Sequence, residues 1–409
     1  MCYEKSNSGS CAVLNTTCSL TCPNALPNAW VPAGYCASSW LSGLSSPRAL
    51  AVASNGDLLV LESGSSQIRA VWMDANDKVQ SAVLARIAGL THGIAISAPY
   101  VYASSMTTVY RWKYTPGMRS DLGQPEIVIS YMPINGHIAR TLIFDAQGLL
   151  YVSTGSGTNV DLNSNRSRIM RFDLSKLPPD GTGIKWVNGE LFADGLRNTV
   201  GLDFDAKGRL WGVVNGMDNL NRQDMGGDIH QNNPAETVYV FEQPGKFYGY
   251  PYCWIEYSLP SPPGKGPGTP WAYPYFMNDG VHTDAWCSNT NNVQRPAWPL
   301  AAHQAPLGIH FFYGTDLPNF APGGAFIALH GSWDRQPTQG YKVLYLQMEG
   351  GVPTKEVEVL HHDGDIANWP NNVRPVNVIV NQCGYANKAS CLYISSDSSN
   401  EIIKLSYNA

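Results

Sequence analysis

The sequence predicts an all-β protein with the architecture of a six-bladed β-propeller. Three observations lead there. The chain of 409 residues holds 39 Gly, 28 Pro, 21 Tyr and 12 Trp but only 14% charged residues, the composition of short strands joined by many turns. One pattern recurs six times: a Pro, Gly, His, Arg or Asn cluster, an apolar strand, a turn often containing Gly, and a second apolar strand. No helical period intrudes for long between the copies.

The copies run in order. PRALAVASNGDLLVLE starts at Pro47 and HGIAISAPYVYASSMTTVYRW at His92. GHIARTLIFDAQGLLYVSTG starts at Gly136, with RIMRFDL later, and RNTVGLDFDAKGRLWGVVNG starts at Arg197. APLGIHFFYG, GGAFIALHG and YKVLYLQ follow from Ala305, and RPVNVIVNQCGYANKASCLYISSDSSNEIIKLSY closes the chain from Arg374. Six antiparallel units arranged radially protect their own edges. A β-helix or solenoid competes, but its repeats would be shorter and more regular.

Between the fourth and fifth copies the spacing stretches. Residues 219–304 read as a long loop insertion in which Cys253 and Cys287 form one couple. Closing a loop of that length stabilises by roughly 4 kcal/mol. Trp254, Trp271, Trp286 and Trp298 crowd the insertion, as a loop core or as sugar-stacking faces. Cys383 and Cys391 bracket the last hairpin. The whole chain, 1–409, reads as a single propeller domain with a cysteine-rich N-terminal extension over 1–40.

Five of the nine cysteines lie in that extension: Cys2, Cys11, Cys18, Cys22 and Cys36. Their spacing matches no zinc template and no His stands among them, so disulfides are expected. With the sequons at Asn15 and Asn165, they predict a secreted, extracellular, glycosylated protein. No signal peptide precedes them, which reads as an excised domain. A net charge of −5 argues against nucleic acid as partner. No apolar run approaches ~18 residues, so no membrane span is expected.

The repeats also align residues. In a propeller the first strand of each blade lines the central channel, so the residues just before it ring one mouth. Here they are Arg48, His92, His137, Arg197 with Asn198 beside it, and Arg374; the fifth copy has Pro306. Each could cap a strand or pair with a carboxylate. As a set they suit a pocket for a compact, multiply anionic ligand, because guanidinium groups fork onto carboxylates. The loop after the fourth copy adds Asp218, Asp224 and Asp228, oxygen donors fit for a hard cation such as Ca²⁺ or simply turn formers. There is no Rossmann fingerprint, P-loop or nucleophile elbow.

GLRNTVGLDFD with its following loop, HGSWDRQPTQGYKVLYL, FYGYPYCW and RPVNVIV together resemble the sugar dehydrogenases of the glucose/sorbosone dehydrogenase family that depend on pyrroloquinoline quinone (PQQ). The likeness is to the sorbosone-dehydrogenase-like branch, which includes the fungal pyranose dehydrogenases, and runs from about Pro47 to Tyr407. It implies a six-bladed propeller with PQQ, a planar tricarboxylate, in the mouth over Ca²⁺. It implies His137 as general base, Arg197 as the cation that stabilises a developing oxyanion, Asn198 and Arg374 as cofactor contacts, Trp298 as a cover and His92 beside the quinone. The calcium loop falls on Asp218 and Asn219, through backbone carbonyls. Three positions depart from the family pattern. Ser156 stands where an aspartate orients the histidine, Arg335 is the basic residue where a lysine binds the cofactor, and Val376 replaces a second C-terminal arginine, which shifts contacts toward Arg48. The implied reaction oxidises the anomeric hydroxyl of a pyranose or keto-aldose to a lactone and passes electrons to a haem (cytochrome) domain or another acceptor. A calcium-dependent lactonase or esterase and a propeller lectin are the rival readings.

Overall fold

The computed structural model describes residues 22–134, 136–163, 165–364, 369 and 372–408. Among them six antiparallel sheets form the blades. Blade 1 holds strands Pro47–Val52, Leu58–Glu62, Gln67–Met73 and Val79–Arg86. Blade 2 holds Leu90–Ser97, Tyr100–Ser105, Val109–Lys113 and Glu126–Ser130. Blade 3 holds Leu142–Phe144, Leu150–Thr154, Arg168–Phe172 and Glu190–Asp194. Blade 4 holds Asn198–Phe204, Leu210–Asn215, Glu236–Phe241 and Trp298–Leu300. Blade 5 holds Pro306–Phe312, Gly324–Leu329, Lys342–Glu349 and Val352–His362. Blade 6 holds Pro375–Gln382, Ser390–Ser396 and Glu401–Tyr407. The first strand of each blade touches the first strand of the next, and blade 6 returns to blade 1.

Each blade is buried on both faces, which explains why its second strand reads as a continuous apolar run and not as an alternation. LLVLE, Leu58–Glu62, is buried throughout. Leu59 and Leu61 pack toward blade 2, while Leu58 and Val60 pack toward blade 6. Four further junctions repeat this arrangement, so six apolar clusters sit between six pairs of blades.

The ring is closed by the N-terminal region. Strand Tyr35–Ser42 pairs antiparallel with Glu401–Tyr407 as the outermost strand of blade 6. Part of the cysteine-rich stretch therefore belongs to the propeller, anchored by Cys22–Cys36; Cys2, Cys11, Cys18 and Asn15 lie outside the described residues. The segment 219–304 is likewise not all insertion, because it supplies the third and fourth strands of blade 4. Lys246–Phe247 adds a short parallel strand to the edge of blade 3, and most of the remainder forms a lobe tied by Cys253–Cys287. There Trp254 and Trp271 are buried and stacked, so these two indoles are loop core. Cys383–Cys391 ties the last hairpin. No helix among the described residues is long and apolar enough to cross a membrane.

The inner strands position the site. In blades 1, 2, 4, 5 and 6 the pairing register shifts near the start of the first strand. Such bulges re-aim side chains. Ala139, Val200, Leu307 and Val376, from four blades, meet as a buried apolar plug. Val376 thus serves packing where an arginine was a family expectation.

Candidate active site

A cavity of about 220 Å³ opens at the mouth. Its wall includes His137, Arg197, Asn198, Asn215, Asp218, Glu236, His303, His330, Trp333, Asp334 and Arg374.

His137 lies in the loop leading into blade 3. Buried Arg140 holds that loop: it donates to the carbonyls of Met106, Pro133, His137 and Ala139 at 2.6–3.0 Å. The His137 backbone N–H donates to the Ser156 carbonyl at 2.8 Å, and the Ser156 N–H to the Arg197 carbonyl at 2.8 Å. Gly155 is required beside them: a Cβ there would lie 2.5 Å from Asn198 Oδ1 and 2.6 Å from His137 Cβ. The imidazole Nδ1 donates to Ser156, which leaves Nε2 as the free lone pair. Burial, and then the Arg197 charge, hold the His137 pKa down to about 4, so the ring is neutral at pH 7.

Arg197 is fixed by Asp218 at 2.5 Å. Burial raises the Asp218 carboxyl even though Arg197 opposes the shift. Asn198 donates to Asn215 Oδ1 at 2.7 Å, and its own Oδ1 is buried without a partner among the described residues. Buried Glu236 accepts from the N–H groups of Gly216 (2.7 Å) and Ala305 (3.1 Å). Burial nevertheless pushes its pKa up to about 7.

Across the ring, in blade 6, Arg374 donates Nε–H to the His330 carbonyl at 3.0 Å and lies over the Tyr341 ring. Its guanidinium has no carboxylate partner among the described residues. Arg48 is different: Asp397 binds it at 2.5 Å and also binds His330 Nε2 at 2.9 Å. Asp397 stays ionised well below the usual carboxylate range; burial opposes this, but His330 and Arg48 outweigh it. His92 is almost fully buried close to this group, with neither ring nitrogen hydrogen-bonded among the described residues. Burial, then Arg48, keep it neutral. Arg48 and His92 do not line the cavity and stand behind its wall.

Asp218, His303 and Asp334 bring ligand atoms within 4.8 Å of one another, close enough that they could hold a metal ion. Asn219 does not join them through its side chain. Its N–H donates to Asp334 Oδ2 at 2.6 Å, and the residue lines a neighbouring depression.

Two expected contacts lie elsewhere. Trp298 sits on the outermost strand of blade 4, and its indole N–H donates to Glu356 of blade 5 at 2.8 Å; exposed Trp333 stands at the cavity instead. Arg335 donates to the Gln231 carbonyl at 2.5 Å and so braces the lobe. Asp224 pairs with Arg222, and Asp228 with His230, inside the lobe. The residues that sequence reasoning missed are Glu236, His303, His330 and Asp334. His303 had a readable signal: a histidine three residues before the fifth inner strand, near the rim position.

The class is thus a six-bladed propeller whose mouth carries a neutral histidine, two arginines and a carboxylate–histidine cluster that could hold a metal ion. The chain matches the TrAA12-like family over residues 29–408 and belongs to that family. It is 32% identical over 416 residues to the pyrroloquinoline quinone-dependent pyranose dehydrogenase of Coprinopsis cinerea, covering 94% of this chain and 56% of that one. The chain thus spans little more than half of that relative's length. The holo form of the pyranose dehydrogenase PQQ domain from C. cinerea superposes with a TM-score of 0.82 at 30% identity, over 94% of this chain and 99% of that domain. A calcium structure of a Trichoderma reesei family AA12 enzyme superposes with a TM-score of 0.81 at 29% identity, over 93% and 98%.

Proposed function

We propose that this protein is a PQQ- and calcium-dependent dehydrogenase that oxidises the anomeric hydroxyl of pyranoses or keto-aldoses to lactones. One observation carries the reading: His137, neutral with Nε2 free, shares a cavity with a guanidinium, Arg374, that lacks a carboxylate. An unpaired cation on a cavity wall favours an anionic ligand. The unpartnered Asn198 Oδ1 adds an acceptor on the same wall. The donor set therefore fits a planar polycarboxylate such as PQQ, held by Arg374, Arg197 and Asn198. Asp218 and Asp334 supply oxygen donors for a hard cation.

When bound, the quinone supplies the two-electron oxidant and the cation its Lewis acid. His137 Nε2 takes the proton of the anomeric hydroxyl. Arg140 and Ser156 hold the ring for that step, and Arg197, fixed by Asp218, keeps a positive charge on the same wall where negative charge develops. Turnover then needs an external acceptor, here assigned to a haem (cytochrome) domain or an equivalent. Three disulfides and the exposed sequon residue Asn165 support an extracellular location.

The test is an anaerobic titration of the apoprotein with PQQ, with and without Ca²⁺, followed by a screen of aldoses and keto-aldoses with a dye acceptor. Stoichiometric quinone absorbance and sugar-dependent dye reduction are expected. Lactone hydrolysis or sugar binding without dye reduction would instead favour the rival classes.

A further inference from the structure

Next to the catalytic cavity lies a second depression. It has a volume of about 720 Å³, against about 220 Å³ for the cavity. Asp161, Leu162, Asn219, Asn221, Tyr273 and Tyr275 line it. The two spaces share a wall, because Asp218 lines one and its neighbour Asn219 the other. Burial raises the Tyr273 hydroxyl, and Arg197 and Asp218 are close enough to act on it. The depression therefore adjoins the cavity at Asp218 and Asn219.

Its chemistry is specific. Tyr275 is 77% exposed and Leu162 62% exposed, and Tyr275 keeps an edge contact with Phe276 while most of its ring stays open to solvent. No Lys, Arg or His among the described residues lines the space, which argues against an anionic ligand. Flat aromatic faces beside carboxamides and a carboxylate suit a neutral polyol: C–H faces lie on the rings and hydroxyls meet Asn219, Asn221 and Asp161. More than three times the cavity's volume leaves room for several sugar units.

We propose that this depression is a subsite for neutral oligosaccharides, holding the units that follow the reducing-end sugar in the cavity. The proposal rests on the sugar dehydrogenase reading above, and its test separates the two. In PQQ- and Ca²⁺-loaded enzyme, Tyr275→Ala should raise KM for cellotetraose or maltotetraose about tenfold and leave the kinetics of the monosaccharide alone. Tyr275→Phe, which keeps the ring, should behave as the unsubstituted protein. The apoprotein should bind borohydride-reduced tetrasaccharides, which have no anomeric centre at the reduced end, by calorimetry, and Tyr275→Ala should lose that binding. Oxidation of monosaccharides with no tetrasaccharide advantage and no calorimetric binding would overturn the subsite and leave the dehydrogenase intact. Tetrasaccharide binding that depends on Tyr275 without any sugar oxidation would uphold the subsite and overturn the dehydrogenase. Slower cytochrome reduction by Tyr275→Ala at unchanged sugar KM would make the depression a protein-docking face, and the proposal would fall.

Discussion

The Nδ1 atom of His137 lies 3.1 Å from the carbonyl oxygen of Ser156 and 3.1 Å from the Ser156 hydroxyl. A carbonyl only accepts, so Nδ1 carries the proton and Nε2 the lone pair. The main chain thus does the orienting that an aspartate side chain could have done. Ser156→Ala keeps the carbonyl and should lose less than about tenfold in turnover. His137→Ala should lose ~10²–10⁴-fold while PQQ still binds. Steady-state kinetics on quinone-loaded protein decide the point: equal losses in the two variants would make the hydroxyl the orienting group.

The charge state of His137 sets a second expectation. Burial and Arg197 depress its pKa to about 4, whereas the unfolded chain protonates it near ~6.5. Between these values the unfolded state binds a proton that the folded state refuses, so stability falls as pH drops from about 6.5 toward 4. Below 4 both states bind it and this contribution levels off. Urea denaturation of the apoprotein across that range should show a shallower pH dependence for His137→Gln. In NMR titrations Arg197→Gln should move the His137 midpoint upward. A midpoint unmoved near 4 would leave burial alone responsible.

Arg140 is the residue on which the loop before blade 3 depends. It is 1% exposed, and its hydrogen bonds run to carbonyls alone; burial, then Arg166, lower its pKa to about 10. Arg140→Met fills the volume but leaves buried carbonyls unmatched. Stability should fall by about 3 kcal/mol, with turnover reduced although His137 is unchanged. Thermal melts and kinetics of the same preparation test this. A full-rate variant would show that His137 is placed without the Arg140 fan.

The propeller was legible because every blade is buried on both faces, so runs such as Leu58–Glu62 announce themselves at each repeat. Aligning the repeats also picked out His137, Arg197, Asn198 and Arg374, which the structure brings to one cavity. What stayed hidden was off the repeat. Glu236–Phe241 and Trp298–Leu300 complete blade 4 from within a segment rich in loops. Tyr35–Ser42 closes blade 6 from the far end of the chain. Asp334 meets Asp218 across 116 residues of sequence, and only the closed ring makes them neighbours. Family resemblance alone places Trp298 over the cofactor, whereas its pairing with Val238 in blade 4 turns it toward Glu356.

The proposed cation site yields the last prediction. His303 Nε2 donates to the His230 carbonyl at 2.6 Å and lies 3.9 Å from Asp334 Oδ2. The imidazole atom facing Asp334 is thus already a donor and cannot ligate without breaking that bond. Asp334 Oδ2 accepts the Asn219 N–H but keeps lone pairs and a second oxygen. A hard cation should therefore rely on Asp218 and Asp334, with His303 in support. Asp334→Ala should abolish Ca²⁺-dependent reconstitution, whereas His303→Gln, which can still donate, should weaken Ca²⁺ less than about tenfold. If His303→Gln is as damaging as Asp334→Ala and Zn²⁺ or Mn²⁺ outcompetes Ca²⁺, the imidazole is a ligand and the site is not a calcium site. Isothermal titration of each variant with the three metals distinguishes these outcomes without any need for turnover.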